Sequence, residues 1–289
     1  MTGRPQAPEV VIRRWGAGGW QEAGDHLAAE EPLELLLDGT PLSVVMRTPG
    51  NDVELALGLL WAERVVTDRA QVREVVVSAE SGEADEALPV RAELLESNRV
   101  DVRLVPGAGA GRRPERSFLS SSACGVCGAT TVESLALDFA PLPAGPAVSP
   151  ALLPELSGRL RERQRLFDQT GGLHAAGLFS ADTGELELLR EDVGRHNAVD
   201  KVVGRSLLDA RLPLAGRLLV VSGRGGYEIV QKAVAAGIPL VASVGAPSSL
   251  AVATARRFGL TLVGFLRDGR FNVYSAPERL GAGPPSRRS

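Results

Sequence analysis

The second half of the chain alternates short apolar runs with segments of helical periodicity, and this alternation limits the fold more than any other feature. The apolar runs have the length and composition of strands: LHAAGLFS (173–180), ELELLRED (185–192), RLLVVSG (217–223), IPLVASVG (238–245) and LTLVGFLRDGRFNVYS (260–275). The helical segments between them are NAVDKVVGRSLL (197–208), YEIVQKAVAAG (227–237) and SSLAVATARRFG (248–259). Strands that alternate with helices in this way predict an α/β layered domain with a largely parallel sheet.

The first half predicts a smaller α+β unit over residues 31–110. LELLLDGTPLSVVMRT contains two apolar runs around Asp38-Gly39, which predicts a β-hairpin. Asp52 precedes apolar residues at three- and four-residue spacing in VELALGLLWAERV, which predicts a helix capped by Asp52. Two further strands are expected over REVVVS (73–78) and RVDVRLVP (99–106).

The remaining segments complete the predicted organisation. Residues 1–30 are expected to form an N-terminal extension that is partly disordered, and residues 281–289 a disordered tail. Residues 111–147 are expected to form a mobile loop and a linker helix. Ser149-Pro150 then opens a predicted long helix, ALLPELSGRLRERQRLF, near the start of an α/β domain over residues 148–280.

Charge and composition exclude several classes of function. The chain has 289 residues, a formal net charge of −3 and a pI near 5.8, which does not favour binding to duplex nucleic acid. No run approaches the ~20 apolar residues that span a bilayer, and the N-terminus lacks the apolar core of a signal peptide. Two cysteines are too few for a disulfide framework. These features predict a cytoplasmic protein with no membrane and no nucleic-acid partner.

Both cysteines lie in one motif, SSSACGVCG, where Cys124 and Cys127 are three positions apart. They precede a predicted helix, GATTVESLALDF, whose free N–H groups would favour a thiolate. Arg112, Arg113 and Arg116 add positive charge nearby. The pair is compatible with a disulfide switch, with half of a metal site, with a sulfur carrier, or with two inert core cysteines.

A zinc site needs three or four ligands, of which the C-x-x-C supplies two. The nearest further candidates are His174 and His196. Zinc-dependent nucleobase deaminases combine H-x-E with P-C-x-x-C, but Ala198 stands here in place of the glutamate and Ala123 in place of the proline. A zinc-dependent deaminase is therefore not predicted, because the catalytic glutamate is missing. A structural metal site remains an alternative.

A polar stretch, EDVGRHNAVDK, interrupts the apolar strand–helix pattern. A helix that begins within it places His196 and Asp200 one turn apart on the same face, and Asp192 is a candidate cap. The stretch is either a solvated helix start or the edge of a site. If the stretch is the edge of a site, a carboxylate is expected to orient His196, and Arg195 is expected to bind an anion.

Two strand-to-helix turns consist of small and polar residues. The first holds Ser222, Gly223, Arg224, Gly225 and Gly226, and the second holds Pro247, Ser248 and Ser249. Open α/β sheets bind ligands where the carboxyl ends of strands meet helix N-termini, whose N–H groups suit phosphate. The two turns together favour a phosphate-bearing ligand, although the P-loop pattern of nucleotide triphosphatases is absent.

A hairpin turn completes the set of candidate residues: Phe265, Leu266, Arg267, Asp268, Gly269 and Arg270. The dipeptide Asp268-Gly269 is a turn signal, so the segment is either an exposed turn or part of a site. Arginine suits phosphate groups and purine edges, and phenylalanine can stack on a base.

These stretches, in this order, resemble the FdhD family of formate dehydrogenase accessory sulfurtransferases. The most specific match is REDVGRHNAVDKVVG, and the resemblance runs from about Glu31 to Leu280. The other matching stretches are PLSVVMRTPGNDVELALGLLWAERVV, SSSACGVCG, GGLHAAGLF, VSGRGGYEIVQKAVAAGIPLVASVGAPSSLAVATA and GFLRDGRFNVY.

The resemblance implies a cytoplasmic carrier that accepts persulfide sulfur from a cysteine desulfurase. The sulfur then passes to Mo-bis(molybdopterin guanine dinucleotide), or its tungsten form, for the catalytic subunit of formate dehydrogenase. The resemblance implies Cys124 as the persulfide cysteine, Cys127 as its partner and residues 265–270 as a cofactor-binding segment. It also implies a homodimer and a cytidine-deaminase-like layering of the C-terminal domain.

The remaining candidates are expected to complete the cofactor pocket. The two small-residue turns would line it, and Arg195 and His196 would lie at its edge. A cofactor-binding chaperone without sulfur chemistry and a zinc-binding deaminase-like protein are the alternatives.

Overall fold

The structure, a computed structural model, describes residues 5–78, 83–86, 88–93, 98–108, 139–145 and 147–281. The strands of these residues are β1 (Glu9–Gly16), β2 (Gly19–His26), β3 (Glu31–Leu37), β4 (Thr40–Arg47), β5 (Val72–Ser78), β6 (Val90–Glu93), β7 (Arg99–Leu104), β8 (His174–Ser180), β9 (Leu186–Asp192), β10 (Arg217–Val221), β11 (Leu240–Ser243), β12 (Thr261–Arg267) and β13 (Arg270–Ser275). The α-helices are α1 (Asp52–Ala62), α2 (Leu153–Arg161), α3 (Arg165–Thr170), α4 (Arg195–Leu208), α5 (Tyr227–Ala235) and α6 (Ser249–Phe258).

The larger sheet contains six strands in the order β13-β12-β11-β10-β8-β9. β10, β11 and β12 pair in parallel, whereas β12–β13, β10–β8 and β8–β9 are antiparallel. The predicted α/β class is confirmed, but the sheet is mixed, so the prediction of a largely parallel sheet is wrong. The physical reason is that β8–β9 and β12–β13 are joined by tight turns, which make consecutive strands antiparallel.

Helices cover both faces of this sheet. On one face α2 buries Leu153, Leu156 and Leu160 in a cluster with side chains of β8, β10, β11 and β12. On the other face α4, α5 and α6 contribute a second apolar cluster, which includes Val202 and Ile229. The result is three layers, with the carboxyl ends of the parallel strands together at one edge.

The first part of the chain forms a five-stranded sheet of order β4-β3-β7-β5-β6, with α1 against one face. The predicted β3–β4 hairpin is confirmed, and Asp38 and Gly39 have the positive φ angles, 50° and 74°, of a two-residue hairpin turn. Leu207 and Leu208 of α4 join the apolar cluster of this sheet. Helix α1 therefore packs against the five-stranded sheet on one side and against α4 on the other, so it contacts both parts of the chain.

Two helix predictions are wrong. The N-cap of α1 is Asn51, with a left-handed φ of 59°, and the Asp52 carboxylate instead accepts two hydrogen bonds of 2.8 Å from the buried guanidinium of Arg47. The predicted helix over 151–167 is divided into α2 and α3, because the backbone leaves helical geometry at Gln164 (φ −80°, ψ 72°).

Strands β1 and β2 form an antiparallel hairpin that the sequence pattern does not predict. Most of its side chains are exposed, so the hairpin lacks the alternation of apolar and polar residues that marks a half-buried strand. The rings of Trp15 and Trp20 contact each other across the hairpin, with centroids 5.3 Å apart and ring planes tilted by 59°. Cross-strand aromatic contact, rather than a buried face, is the local stabilising feature.

Helices α1 and α4 cross at two glycines, one on each helix. A Cβ atom added to Gly58 would overlap the backbone carbonyl of Asp200, and a Cβ atom added to Gly204 would overlap that of Glu54. The two helix backbones are therefore in direct contact at both points, at a separation that only glycine permits. This crossing joins the two parts of the chain.

A buried ionic network joins the same two parts. Asp192, at the end of β9, is fully buried, and its carboxylate lies 2.7 Å from the ammonium group of Lys201. The carboxylate also accepts hydrogen bonds from the Thr48 N–H at 3.2 Å and from the Asn197 amide at 2.9 Å. Lys201 donates to the Thr48 carbonyl at 2.9 Å. The loop after β4 is thereby tied to the first turns of α4.

We expect Gly204→Ala to lower the free energy of unfolding by about 3 kcal/mol or more, because the added methyl group has no space between two backbones that are also held by the ionic network. Denaturant unfolding at constant pH measures this change through the midpoint and the slope of the transition.

Gly158→Ala is the matched control, since Gly158 is an exposed helical glycine of α2 with no atom within 4 Å of an added Cβ. This variant is expected to be more stable than the wild-type chain by about 0.5–1 kcal/mol. Equal unfolding free energies for the two variants would contradict the close crossing of α1 and α4.

Candidate functional site

The carboxyl ends of β10, β11 and β12 border a cavity of about 640 Å³. The α2–α3 segment forms the opposite wall, over the sheet face that α2 covers. Because β8 runs antiparallel to β10, the first residue of β8, His174, reaches the same edge of the sheet and lines the cavity. A volume of this size is within the range of roughly 300–1,000 Å³ that is typical of small-molecule sites.

Four residues predicted from the sequence line this cavity: Ser222, Leu266, Arg267 and Asp268. Ser222 follows β10, and its hydroxyl accepts a hydrogen bond of 2.9 Å from the Ala175 N–H. Leu266 is fully buried in the cluster that α2 covers. The fold therefore brings the first small-residue turn and the β12–β13 hairpin to a common site.

The two small-residue turns are in direct contact along the sheet edge. The N–H of Gly245 donates to the Gly223 carbonyl at 3.0 Å, and the N–H of Ser248 donates to the Gly225 carbonyl at 3.3 Å. A Cβ atom at Gly225 would lie 2.9 Å from the Ser243 hydroxyl oxygen. Glycine at this position therefore permits a close approach that a larger residue would prevent.

Each turn also begins a helix. Gly226 is the N-cap of α5, and Ser248 is the N-cap of α6, where its hydroxyl accepts the Ala251 N–H at 3.2 Å. The Ser248 side chain therefore caps α6. Both helix N-termini lie at the edge that borders the cavity. The predicted residues at this edge but outside the cavity wall are Gly223, Arg224, Gly225, Gly226, Pro247, Ser248 and Ser249.

The β12–β13 hairpin is irregular where it approaches the cavity. Its pairing shifts between Gly264 and Arg267, and Phe265 has a left-handed φ of 55°, which is uncommon outside glycine. The Arg267 guanidinium lies over the Phe265 ring, 5.8 Å from its centroid. Residues 267–270 are exposed, so Arg267, Gly269 and Arg270 face solvent beside the cavity.

Arg195, the first residue of α4, lies next to the first turn. A Cβ atom at Gly223 would be 3.5 Å from the Arg195 Cδ and 3.3 Å from the His174 Nδ1. Burial lowers the pKa of His174, and the positive charge of Arg195 lowers it further, so this imidazole is neutral at pH 7. The Arg195 Nε is buried and has no hydrogen-bond partner within the part of the chain that the structure describes.

His196 is oriented by a carboxylate of α5. Its Nδ1 lies 2.9 Å from an oxygen of Glu228. Burial lowers the pKa of His196, although the hydrogen bond to Glu228 opposes this shift, so the neutral ring donates to the carboxylate at pH 7. Asp200, one turn further along α4, binds the Lys232 ammonium at 2.6 Å instead.

The pairs His196–Glu228 and Asp200–Lys232 are successive contacts between α4 and α5. Burial raises the pKa of Asp200 to about 7, against the opposing effect of the Lys232 charge. Asp200 Oδ2 and Glu228 Oε1 are buried without a hydrogen-bond partner among the described residues. The cluster therefore contains one buried carboxyl group, that of Asp200, whose pKa is close to neutral pH.

Asp192 supports the start of α4 in a different way from the one predicted. The N-cap of α4 is Gly194, which has no side chain to cap the helix. The Asp192 carboxylate accepts the Gly194 N–H at 2.8 Å and at the same time binds Lys201 and Asn197. It thus orders the turn before the helix and connects it to the buried network.

Three residues of the cavity wall have no signal in the sequence: Arg161, Gln164 and Phe167. The stretch that contains them continues an amphipathic helical pattern, and neither glycine nor proline marks the break at Gln164. Glu228 and Lys232 do have a signal, since two charged residues four positions apart lie in an otherwise apolar helix.

Cys124 and Cys127, together with Arg112, Arg113 and Arg116, lie outside the described residues. Within the residues that are described, no three His, Cys, Asp or Glu side chains come together as a possible metal site. In the same part of the chain, every helix is too short or too polar to cross a membrane.

Comparison with known proteins agrees with these features. The model of the FdhD/NarQ family matches residues 28–281. The sulfur carrier protein FdhD of Streptomyces coelicolor is 48% identical over 263 residues, which cover 89% of this chain and 89% of that protein. The sulfur carrier protein FdhD of Mycolicibacterium paratuberculosis is 46% identical over 263 residues, with coverage of 89% and 92%.

A solved structure shares the fold. The crystal structure of a protein described as a formate dehydrogenase accessory protein, from Desulfotalea psychrophila, has a TM-score of 0.71 and 28% sequence identity to this chain. The match covers 96% of this chain and 100% of that one. Since the family model matches most of the chain and the two relatives exceed 45% identity, this chain belongs to the FdhD/NarQ family.

Proposed function

We propose that the protein is a sulfurtransferase that carries sulfur as a persulfide on Cys124 and delivers it to Mo-bis(molybdopterin guanine dinucleotide), for use by formate dehydrogenase. The observation that carries this proposal is that Cys124 and Cys127 are the only thiols of the chain, in a family whose named relatives are sulfur carrier proteins. A carrier of sulfane sulfur needs a reactive cysteine, and the motif supplies it with flanking glycine and serine residues.

Loading requires no external oxidant. The Cys124 thiolate attacks the outer sulfur of a persulfide on a cysteine desulfurase, and the desulfurase cysteine leaves as a thiolate. One S–S bond forms and one breaks, so the sulfane sulfur keeps its oxidation state. Cys124 then holds the sulfur as Cys–S–SH.

Release as sulfide needs two electrons, and Cys127 can supply them. Its thiolate attacks the inner sulfur of the Cys124 persulfide, which forms a Cys124–Cys127 disulfide and releases hydrosulfide. A cellular dithiol must then reduce the disulfide before the next cycle. A C-x-x-C pair suits this step because a spacer of two residues permits the two cysteines to form a disulfide.

The molybdenum or tungsten cofactor is the acceptor substrate, and the cavity is proposed as part of its binding site. The N-termini of α5 and α6 would bind pyrophosphate through Gly223 to Gly226 and Pro247 to Ser249. Arg267 and Arg270 would bind the guanine ends, next to Phe265 and Asp268. The Arg195 Nε is a buried donor without a partner among the described residues, which fits an anionic ligand. His196 would pack beside the first small-residue turn and support it.

The partners follow from this chemistry. A cysteine desulfurase is the proposed donor, and the catalytic subunit of formate dehydrogenase is the proposed recipient of the sulfurated cofactor. A homodimer in the cytoplasm is the proposed state of the protein, and the cytidine-deaminase-like layering remains a prediction for its C-terminal domain.

We expect the intact mass of the protein to rise by about 32 Da, one sulfur atom, after incubation with a cysteine desulfurase and cysteine, and a reductant to remove the added mass. Cys124→Ala should abolish the gain because it removes the acceptor thiol. Cys127→Ala should retain the gain and lose it more slowly under release conditions. A sulfur adduct that persists in Cys124→Ala would contradict the assignment of Cys124.

We also expect Arg267→Ala and Arg270→Ala to weaken GDP binding about 10- to 100-fold, because each removes a charge-assisted hydrogen-bond donor. Isothermal titration of the full chain with GDP measures the change, and mass spectrometry should show that both variants still accept sulfur. Arg73→Ala, a half-exposed arginine of β5, is the control and should bind GDP normally. Unchanged GDP affinity in both hairpin variants would remove the hairpin from the site.

A further inference from the structure

The β1–β2 hairpin carries the most exposed large apolar side chains of the described residues. Val11, Trp15 and Trp20 are 73%, 67% and 59% exposed. All three lie on one face of the hairpin, because Trp20 is directly opposite Trp15 and side chains alternate along a strand. Val10 and Ile12, on the other face, are partly buried. The exposed face is therefore an apolar surface of the kind that marks an interaction site.

Strand β1 also presents a backbone edge. Among the described residues it pairs with β2 alone, and α3 contacts the hairpin on the β2 side. The carbonyls of Gln6 and Pro8, just before β1, accept the N–H groups of Ala29 and Leu27, both at 3.0 Å. Alternate residues of an antiparallel strand direct their N–H and C=O groups to opposite sides. Even-numbered residues therefore bond toward β2, and odd-numbered residues of β1 direct their backbone groups to the outer edge.

The sequence of β1 does not protect this edge. Edge strands commonly contain lysine, proline or a β-bulge, which prevent pairing with another chain. Strand β1, EVVIRRWG, contains neither lysine nor proline, and its pairing with β2 is regular over all eight residues. Such an edge can accept a further antiparallel strand through main-chain hydrogen bonds.

The β1 sequence is complementary to itself. Antiparallel pairing of two β1 strands about Val11 places Val11 opposite the same residue of the second copy, and Glu9 opposite Arg13 of the second copy. The two-fold symmetry produces the Glu9–Arg13 contact twice. Because Glu9, Val11 and Arg13 are the residues whose backbone groups point to the outer edge, this register also pairs those groups. Oppositely charged residues directly across an antiparallel pair stabilise it.

Neighbouring registers are less favourable. Pairing about Val10 or about Ile12 places charged residues opposite apolar ones, since Glu9 then faces Val11 or Trp15. Pairing about Arg13 places two arginines directly opposite each other, which is destabilising. Charge therefore selects the register centred on Val11.

We propose that two copies of this chain pair through β1, in an antiparallel register centred on Val11, and form a four-stranded sheet of order β2-β1-β1-β2. Trp15 and Trp20 of both copies lie on the exposed face of this sheet. The hairpin precedes residues 28–281, which the family model matches, so the family resemblance does not supply this contact. The inference goes beyond the proposed function, because neither sulfur uptake nor cofactor binding depends on it.

The test is the mass of the assembly formed by the full chain, measured by light scattering after gel filtration over a series of concentrations. Glu9→Arg and Arg13→Glu each convert two opposite-charge contacts into like-charge contacts. Each single variant should raise the dissociation constant of pairing about 10- to 100-fold and reduce the mass to half at concentrations where the wild-type chain is paired.

An equal mixture of the two single variants should regain the wild-type mass, because opposite charges then face each other in both contacts. The double variant Glu9→Arg/Arg13→Glu should regain it for the same reason. Asp182→Arg, in the exposed turn after β8, is the control with the same charge change as Glu9→Arg and should keep the wild-type mass.

A further variant separates loss of pairing from loss of the hairpin itself. Val11→Lys places two lysines opposite each other at the symmetry axis, whereas within its own hairpin residue 11 faces Gly24, which offers no side chain. It should halve the mass and retain the near-ultraviolet circular dichroism of the Trp15–Trp20 pair.

The contact and the proposed function fail in different ways. If the three single variants on β1 keep the wild-type mass, or if the mixture does not regain it, the β1 contact is overturned and the proposed function is unaffected. A wild-type chain that takes up no sulfur would overturn the proposed function and leave the β1 contact intact.

Discussion

The direct contact of two helix backbones at Gly58 and Gly204 determines how the two parts of this protein are joined. Because no side chain separates α1 from α4 there, the loop after β4 comes within hydrogen-bonding distance of the Asp192–Lys201 pair. That pair orders the turn at Gly194 and hence the direction in which α4 begins. The position of Arg195 beside the first small-residue turn follows from this series of contacts. The edge of the site therefore depends on a packing contact that is not part of the cavity wall.

Buried charge is concentrated where α4 meets α5 and the end of β9. Complete burial of Asp192, Asp200 and Lys201 is unfavourable unless each charge has a partner, and each does. Asp200 Oδ2 and Glu228 Oε1 nevertheless remain without hydrogen bonds among the described residues. Natural cores rarely keep such atoms, and where they do, the surrounding region often has a functional role. In this chain they lie directly behind the turn that is proposed to bind phosphate.

Much of the architecture was predictable from local pattern. The β3–β4 hairpin follows from Asp38-Gly39 between apolar runs, and the Ser248 cap follows from a serine at a strand-to-helix turn. The candidate residues at the ends of β10, β11 and β12 could be placed at one edge because parallel strands end together. Prediction failed where tertiary contacts replace local signals: Asp52 binds Arg47 instead of capping α1, and the helix breaks at Gln164 without a glycine or proline.

The sequence by itself determined the alternating elements, the small-residue turns, the single C-x-x-C motif and the family resemblance, because these depend on residue identity and short spacing. Only the tertiary structure decided the mixed strand order, since pairing partners depend on how hairpins insert into a sheet. It alone also decided the carboxylate that orients His196 and the α2–α3 wall of the cavity. These contacts join residues from distant parts of the chain, and spacing along the sequence carries no information about such distances.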